Sequence, residues 1–454
     1  MMLRILRLAV LLSLVVLDRG LRADEFESQS EPYNRAPNDS TANGDRASAL
    51  FQSAEREASA PAATVSQPIH VVSGLELARL REKIRKVLDL YYPRHQNTLD
   101  NTNWELMHSI VAYGTDAQVF RGGSGGDKVN AIGWMCYNGP CKGEQMLYVD
   151  RGKLVARKGV GVQGHYGQFL AILAQSRVKP DYPMLVGGKS FTIADLIEHE
   201  KEDCSSGDEL TFKLIALSYY LDSDATWSAS DGQKWSIERL LQEELKQPIR
   251  GAACGGSHRL MGYSYAVQRR IKQGKPVTGE FLRAQTFLYD YQRYTAGLQN
   301  ADGSFSTEWF VRRGDRPDID RRLQTTGHIA EWLCYSVSND DLRHPKMVQA
   351  VDYLAGILLA EPDRNWSIGP LGHGLHALAI YESRIARRVE SSPAPADSEN
   401  TLSTADSRTP GRAATGAAPS EAPAAINGDA AAENAEFDLG LERSGEAASG
   451  EPTF

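Results

Sequence analysis

Five histidines sit in or just ahead of apolar runs. His165, His258, His328 and His373 head "GHYGQFLAILAQ", "SHRLMGYSYAV", "GHIAEWLCYSV" and "GHGLHALAIYE", and His108 lies inside "NTNWELMHSIVAYG". An imidazole titrates near neutral pH and serves as base, acid or metal ligand. With Asp203, Glu209 and Asp302 as carboxylate partners, these histidines are candidates for acid–base catalysis. The competing reading is packing, in which glycine lets helices approach and the ring fills space while bonding loop carbonyls. Cys204 and Cys254 lie just ahead of two of the helical stretches, and with His258 they supply a ligand set that suits zinc. Two other readings stay open for that pair, a Cys204–Cys254 disulfide and two unpaired thiols. Trp104, Tyr166, Tyr263 and Trp332 are candidate substrate-binding aromatics, able to stack on sugars or stabilise carbocations, unless they fill a core.

The elements that position these residues fall into two kinds. "LELARLREKIRKVLDLYY", "SFTIADLIEHEKED" (with Ser190 as its cap), "WSIERLLQEELKQ", "GEFLRAQTFLYDYQRYTAGLQ" and "HPKMVQAVDYLAGILLA" each have one polar face. The histidine-bearing stretches, together with "GDELTFKLIALSYYL", are apolar nearly all round and must be buried on most sides. Polar-faced and apolar helices alternate along the chain, with six apolar members. Between the first two apolar helices, residues 130 to 159 alternate apolar and polar with turns at Asn138-Gly139 and Asp150-Arg151-Gly152. That pattern predicts a short β-meander. "RGGSGGDK" lacks the ending of a phosphate-binding loop and precedes a strand, so it reads as a flexible connection.

The chain has 454 residues, 41% hydrophobic and 24% charged, with a net charge of −8, which suits a globular core and disfavours nucleic acid as a partner. Residues 1–23 read as an export leader, with Arg4 and Arg7 ahead of an apolar run at Leu8 to Leu17. An uncleaved membrane anchor is the alternative. Export places the protein in the periplasm, the cell envelope or the medium, where disulfides form. Of its 5 cysteines, Cys136 and Cys141 flank a turn and form a candidate local bridge, while Cys334 reads as an inert buried thiol. Residues 24–73 and 389–454 are rich in Ala, Ser, Pro and Glu and read as disordered, leaving a folded domain over 74–388.

"QNADGSF" (Gln299 to Phe305), after an aromatic-rich polar-faced helix, resembles the Q-x-x-D-G-S-W/F element of terpenoid cyclases and protein prenyltransferases. The resemblance implies an all-α (α/α)6 toroid over 74–388, interrupted by the β-meander. In that fold the inner helices' N-terminal ends surround the mouth of a central cavity, where His108, His165, His258, His328 and His373 would gather around a small-molecule, lipid or glycan ligand. The chain departs from the families' chemistry. It has no D-x-D-D acid cluster; "PDIDRR" sets Asp318 and Asp320 beside arginines, which favours the ionised form. Glu202-x-Cys204 only approximates the prenyltransferase D-x-C zinc pair. Cys204, Cys254 and His258 match the two-cysteine, one-histidine inventory of lanthionine cyclases without their Cys-His adjacency. The expectation is an exported cyclase- or prenyltransferase-like toroid of undetermined activity, acting on an isoprenoid or polysaccharide. A non-catalytic envelope module binding glycan, lipid or peptide is the alternative, and a structural envelope protein tethered by its tails is a third.

Overall fold

The computed structural model describes residues 72–391, with side chains to residue 386. The leader over 1–23, all but the last two residues of 24–73, and the tail beyond 391 lie outside the described residues. Within them are twelve α-helices and four small sheets. No described helix is long and apolar enough to cross a membrane.

The polar-faced helices are α1 (Gly74–Tyr91), α5 (Ile193–Glu202), α7 (Ile237–Glu244), α9 (Gly279–Gly297) and α11 (Pro345–Ala360). The apolar ones are α2 (Asn103–Tyr113), α4 (Gln168–Gln175), α6 (Thr211–Tyr220), α8 (Ser257–Lys272), α10 (Ile319–Ser336) and α12 (Ile368–Ser391). Side-chain capping sets several starts: Ser73 with Glu76, Thr102 with Glu105, and Thr192 with Asp195 form capping boxes. The cap of α5 is thus Thr192, not Ser190, because Ser190 is drawn into a strand. α1 buries Leu77, Leu80, Ile84, Val87, Leu88 and Tyr91 at helical spacing on one face, whereas every residue of α10 from Thr325 to Cys334 is buried.

The apolar helices pack in sequence, α2 on α4, α4 on α6, α6 on α8, α8 on α10 and α10 on α12, and α12 packs in turn on α2. The polar-faced helices lie against them: α5 on α4 and α6, α7 on α6 and α8, α9 on α8, α11 on α10 and α12, and α1 on α11 and α12. Glycine sets the closest approach. A Cβ on Gly372 would come 2.6 Å from the His108 carbonyl, so α12 can seat against α2 only with glycine there.

One structural unit, a hairpin running into a helix, occurs twice along the chain. β6 (Pro183–Val186) and β7 (Lys189–Thr192) make a hairpin running straight into α5, and β8 (Thr226–Ser228) and β9 (Lys234–Ser236) make one running into α7. Ile193, Leu196, Ile197 and Glu200 of α5 are matched by Ile237, Leu240, Leu241 and Glu244 of α7, and all eight are buried. Each glutamate meets a buried cation at the third residue of the following apolar helix. Lys213 Nζ lies 3.3 Å from Glu200 and Arg259 Nε 2.9 Å from Glu244. These pairs hold the heads of α6 and α8 in place.

The meander expected over 130–159 is only half present. Residues 131–136 form a short helix, α3 (Ala131–Cys136), capped by Asn130, whose side chain accepts from the Gly133 amide. Asn138 is left-handed and buried, its side chain bonding both Leu147 N and Leu147 O, so it pins a strand instead of turning a hairpin. The second half is a hairpin, β4 (Leu147–Asp150) with β5 (Lys153–Ala156), and it turns at Asp150-Arg151-Gly152 as the sequence predicts. β1 (Gln96–Asn97), β2 (Gln118–Phe120) and β3 (Lys128–Asn130) form the fourth small sheet, and "RGGSGGDK" joins β2 to β3. The fold is therefore mostly helical with small sheets, not purely α.

The Gln299–Phe305 element ties three helices. Gln299 Nε2 donates to Gly303 O at 3.0 Å and to Lys346 O in α11 at 2.8 Å. Asp302 accepts from Ser304 N at 3.0 Å and Ser304 Oγ at 2.7 Å, and pairs with Arg322 of α10.

Candidate functional site

Each apolar helix, or the segment entering it, contributes one ring to a continuous cluster. The rings are His108 from α2, His165 ahead of α4, Phe212 from α6, His258 from α8, His328 from α10 and His373 from α12. Centroid separations trace the chain of contacts. His108 lies 5.2 Å from His373, and His373 lies 3.9 Å from His328 and 5.0 Å from His258. Phe212 stands 5.0 Å from both His258 and His165. All five expected histidines are thus brought together. They are not all helix-head residues, because α2, α10 and α12 begin well before them; only His258 lies in a first turn.

Hydrogen bonding fixes the tautomers. His108 Nδ1 is 2.7 Å from Trp104 O, and His328 Nδ1 is 2.7 Å from Gln324 O. A carbonyl can only accept, so Nδ1 carries the proton and Nε2 offers its lone pair. His373 Nδ1 and His376 Nδ1 donate to the two oxygens of Glu331, at 2.8 and 2.6 Å, and His165 Nδ1 donates to Glu209 at 2.7 Å. His258 differs: it is 8% exposed, yet neither ring nitrogen has a hydrogen-bond partner.

Burial is the main cause of the electrostatics. It holds His108 down to about 3, with the neighbouring His373 adding to the effect. It also keeps His258 and His328 well below the ordinary imidazole range, again with help from His373. Burial pushes the Glu331 carboxyl up, but His373 and His376 outweigh it and hold that group well below the usual carboxylate range. The Cys254 thiol is pushed up to about 12 by burial and by Glu331 and Glu209. His108, His258 and His328 are therefore held in the neutral form beside an ionised carboxylate, Glu331. The centre can accept protons or bind a cation, and it is not a source of strong acid.

Two sets of donor atoms lie within 4.8 Å of one another and could hold a metal: Cys254, His258 and His328, and His258, Glu331 and His373. Cys254 is presented by a loop in which residues 254 to 256 all have positive φ, 49° at the cysteine itself. A Cβ on Gly255 would come 2.2 Å from the Trp309 ring, so only glycine fits beneath it. Trp309 in turn lies 5.5 Å from His328. Of residues 254 to 256 only Cys254 is strained; such a conformation at a non-glycine residue costs about 1–3 kcal/mol and persists where the surroundings enforce it.

Other expected residues are placed elsewhere. Cys204 belongs to neither metal-competent set; it follows α5, buried, its Sγ donating to Glu200 O at 3.3 Å. It forms no disulfide with Cys254, nor does Cys136 with Cys141, and all five cysteines are free. Asp203 is the C-cap of α5, where it accepts from Lys213 Nζ at 2.7 Å, and Asp302 is used within its turn and by Arg322. Trp332 is fully buried with Nε1 donating to Ser264 Oγ at 3.1 Å, and Tyr263 is fully buried with its hydroxyl donating to Glu244 O at 2.7 Å. Both are core residues without access to a ligand. Trp104, 4.1 Å from His108, and exposed Tyr166, with Lys158 Nζ 4.2 Å from its ring, remain available to one. Tyr263→Phe is expected to cost about 1 kcal/mol in chemical denaturation and to leave any ligand binding unchanged; loss of binding would return Tyr263 to the site.

Sequence reasoning misses Glu331 and His376. The available signal is a lone acidic residue inside the apolar run "GHIAEWLCYSV", a charge that burial tolerates only with partners. No family model, no curated protein and no solved structure matches this chain.

Proposed function

We propose that the chain is an exported (α/α)6 toroid of the terpenoid cyclase and prenyltransferase kind, acting as an enzyme where its inner helices converge. The cyclic order of packing among α2, α4, α6, α8, α10 and α12 supports the toroid reading. The observation carrying the functional reading is the convergence of His108, His165, His258, His328 and His373, each keeping at least one ring nitrogen free of any protein hydrogen bond. A core filled only for packing satisfies its buried polar atoms, and this one leaves both ring nitrogens of His258 buried without a hydrogen-bond partner.

Neutral imidazoles favour proton abstraction or metal-assisted cleavage over protonation of an olefin. Among the expected substrates, this chemistry suits a polysaccharide better than an isoprenoid awaiting cyclisation. Zinc is the proposed cofactor. His165, oriented by Glu209, is the proposed acid–base residue. The second reading, a binding module for glycan, lipid or peptide, rests on Trp104 and exposed Tyr166 beside the cluster.

The test is a panel of neutral and anionic polysaccharides, polyprenyl diphosphates and peptides, incubated with the secreted protein and analysed by mass spectrometry. Turnover of one class, reduced about 10²–10⁴-fold in His165→Asn, is expected. Turnover unaffected by His165→Asn would contradict the site. Binding without turnover across the panel would favour the module.

A further inference from the structure

Within that reading of the cluster, we infer that Cys254 Sγ, a ring nitrogen of His258 and Nε2 of His328 form a zinc site, with a fourth position left for water or substrate and His373 beside it. Their donor atoms already lie within 4.8 Å of one another. A tetrahedral zinc site needs roughly 3.3–3.8 Å between donors, given metal–ligand bonds near 2.0–2.3 Å, so the donors stand no more than about 1.5 Å wider than that spacing.

The strongest independent sign is His258. Burying a polar atom without a partner costs about 1–3 kcal/mol, and this ring buries two such atoms in the middle of the cluster. A cation between His258, His328 and Cys254 would take up the lone pair of one of the two nitrogens. His328 is already prepared as a ligand, since its Nδ1–H is committed to Gln324 O. Metal-binding histidines commonly carry such an outer hydrogen bond, which fixes the tautomer and raises basicity. His373 is prepared in the same way by Glu331.

Donor chemistry selects the metal. One thiolate with two imidazoles suits zinc and disfavours magnesium or calcium, which take oxygen ligands. Binding releases the Cys254 thiol proton to solvent, and the anion then neutralises half the charge of the divalent ion. The left-handed loop at 254–256 leads into α8 and sets the Cys254 donor atom beside those of His258 and His328.

The test uses the secreted protein, purified without chelator or affinity metal, with metal content read by elemental analysis. About one zinc per chain is expected. After removal and refilling with Co2+, a thiolate-to-cobalt charge-transfer band is expected and should vanish in Cys254→Ser. His328→Ala should weaken Zn2+ binding by at least about 100-fold, exceeding the 10–100-fold typical of losing an outer-shell partner, while Cys204→Ser should bind as the parent does. Circular dichroism on each variant separates ligand loss from unfolding; if His328→Ala does not fold, His328→Gln replaces it. No zinc after refilling the folded parent would overturn the assignment. So would copper in its place, or a cobalt band that survives Cys254→Ser and disappears in Cys204→Ser. If zinc is absent and His165→Asn still abolishes turnover, the zinc site falls and the enzymatic reading stands. If zinc is bound and no substrate turns over, the zinc site stands and the enzymatic reading falls.

Discussion

Glu331→Ala is expected to destabilise the protein by about 2–5 kcal/mol, because both His373 Nδ1 and His376 Nδ1 lose their acceptor inside a sealed site. For a domain of this size that is a fall in melting temperature of roughly 3–8 °C. Glu331→Gln separates the structural effect from the chemical one. The amide keeps the volume and one acceptor oxygen but turns an NH2 toward the other ring. That ring must give up its Nδ1 proton and present Nε2–H to the centre. If the ring that switches is His373, its free lone pair beside the cluster is lost. The glutamine variant should therefore retain most of the stability and still bind zinc, because His373 stands beside the ligands Cys254, His258 and His328 and is not one of them. Imidazole 15N spectra would report the tautomer directly. A Glu331→Ala protein within about 1 kcal/mol of the parent would mean that the carboxylate does not organise the histidines.

The second large effect lies outside the site. Glu244 is completely buried and accepts from Leu210 N at 2.8 Å, Thr211 Oγ1 at 2.6 Å and Arg259 Nε at 2.9 Å. It thereby joins α7 to the heads of α6 and α8, which carry Phe212 and His258. Glu244→Ala leaves the Arg259 guanidinium buried without its carboxylate and should cost about 3–5 kcal/mol. The double variant Glu244→Leu, Arg259→Met removes both charges and is expected to recover much of that loss. Urea denaturation of the three proteins measures both effects. A single variant within about 1 kcal/mol of the parent, or a double variant worse than the single, would contradict the role given to this pair.

Helical periodicity locates every apolar and polar-faced helix, because a ring of side chains that is apolar all round has no arrangement in water except burial. It places Thr325–Cys334 in the interior without any knowledge of neighbours. It fails where a local signal competes. Gly187-Gly188 lies between "PMLV" and "KSFT" and is a strong two-residue hairpin turn. The strands are hidden because Ser190 also looks like a helix cap. Asn138-Gly139 misleads in the opposite direction. Its asparagine side chain replaces a strand's backbone partners at Leu147, a use that depends on a segment nine residues away.

The site is legible in part. The five histidines can be singled out because each lies beside or within an apolar run, and the structure unites them. What one sequence does not supply is partnership in space. Cys204 and Cys254 look equivalent, each ahead of an apolar helix. Cys204 ends up at the close of α5, bonded to the Glu200 carbonyl, while the left-handed loop turns Cys254 toward His258. Trp332 and Tyr263 have the right residue types for a cavity wall, but helical phase alone does not say which face of a fully buried helix meets a cavity and which meets Ser264 or α7. Glu331, three residues after His328 and among apolar neighbours, demands a partner, but nothing in the local sequence says that two histidines from α12 supply it.

The most direct test is a crystal structure of chelator-free protein with anomalous data collected on both sides of the zinc edge. The zinc assignment predicts a single peak present only above the edge, within bonding distance of Cys254 Sγ, His258 and His328, with His373 Nδ1 still held by Glu331. A site with no anomalous density, and with His258 turned to bond its own loop, would contradict it and return the histidine cluster to packing.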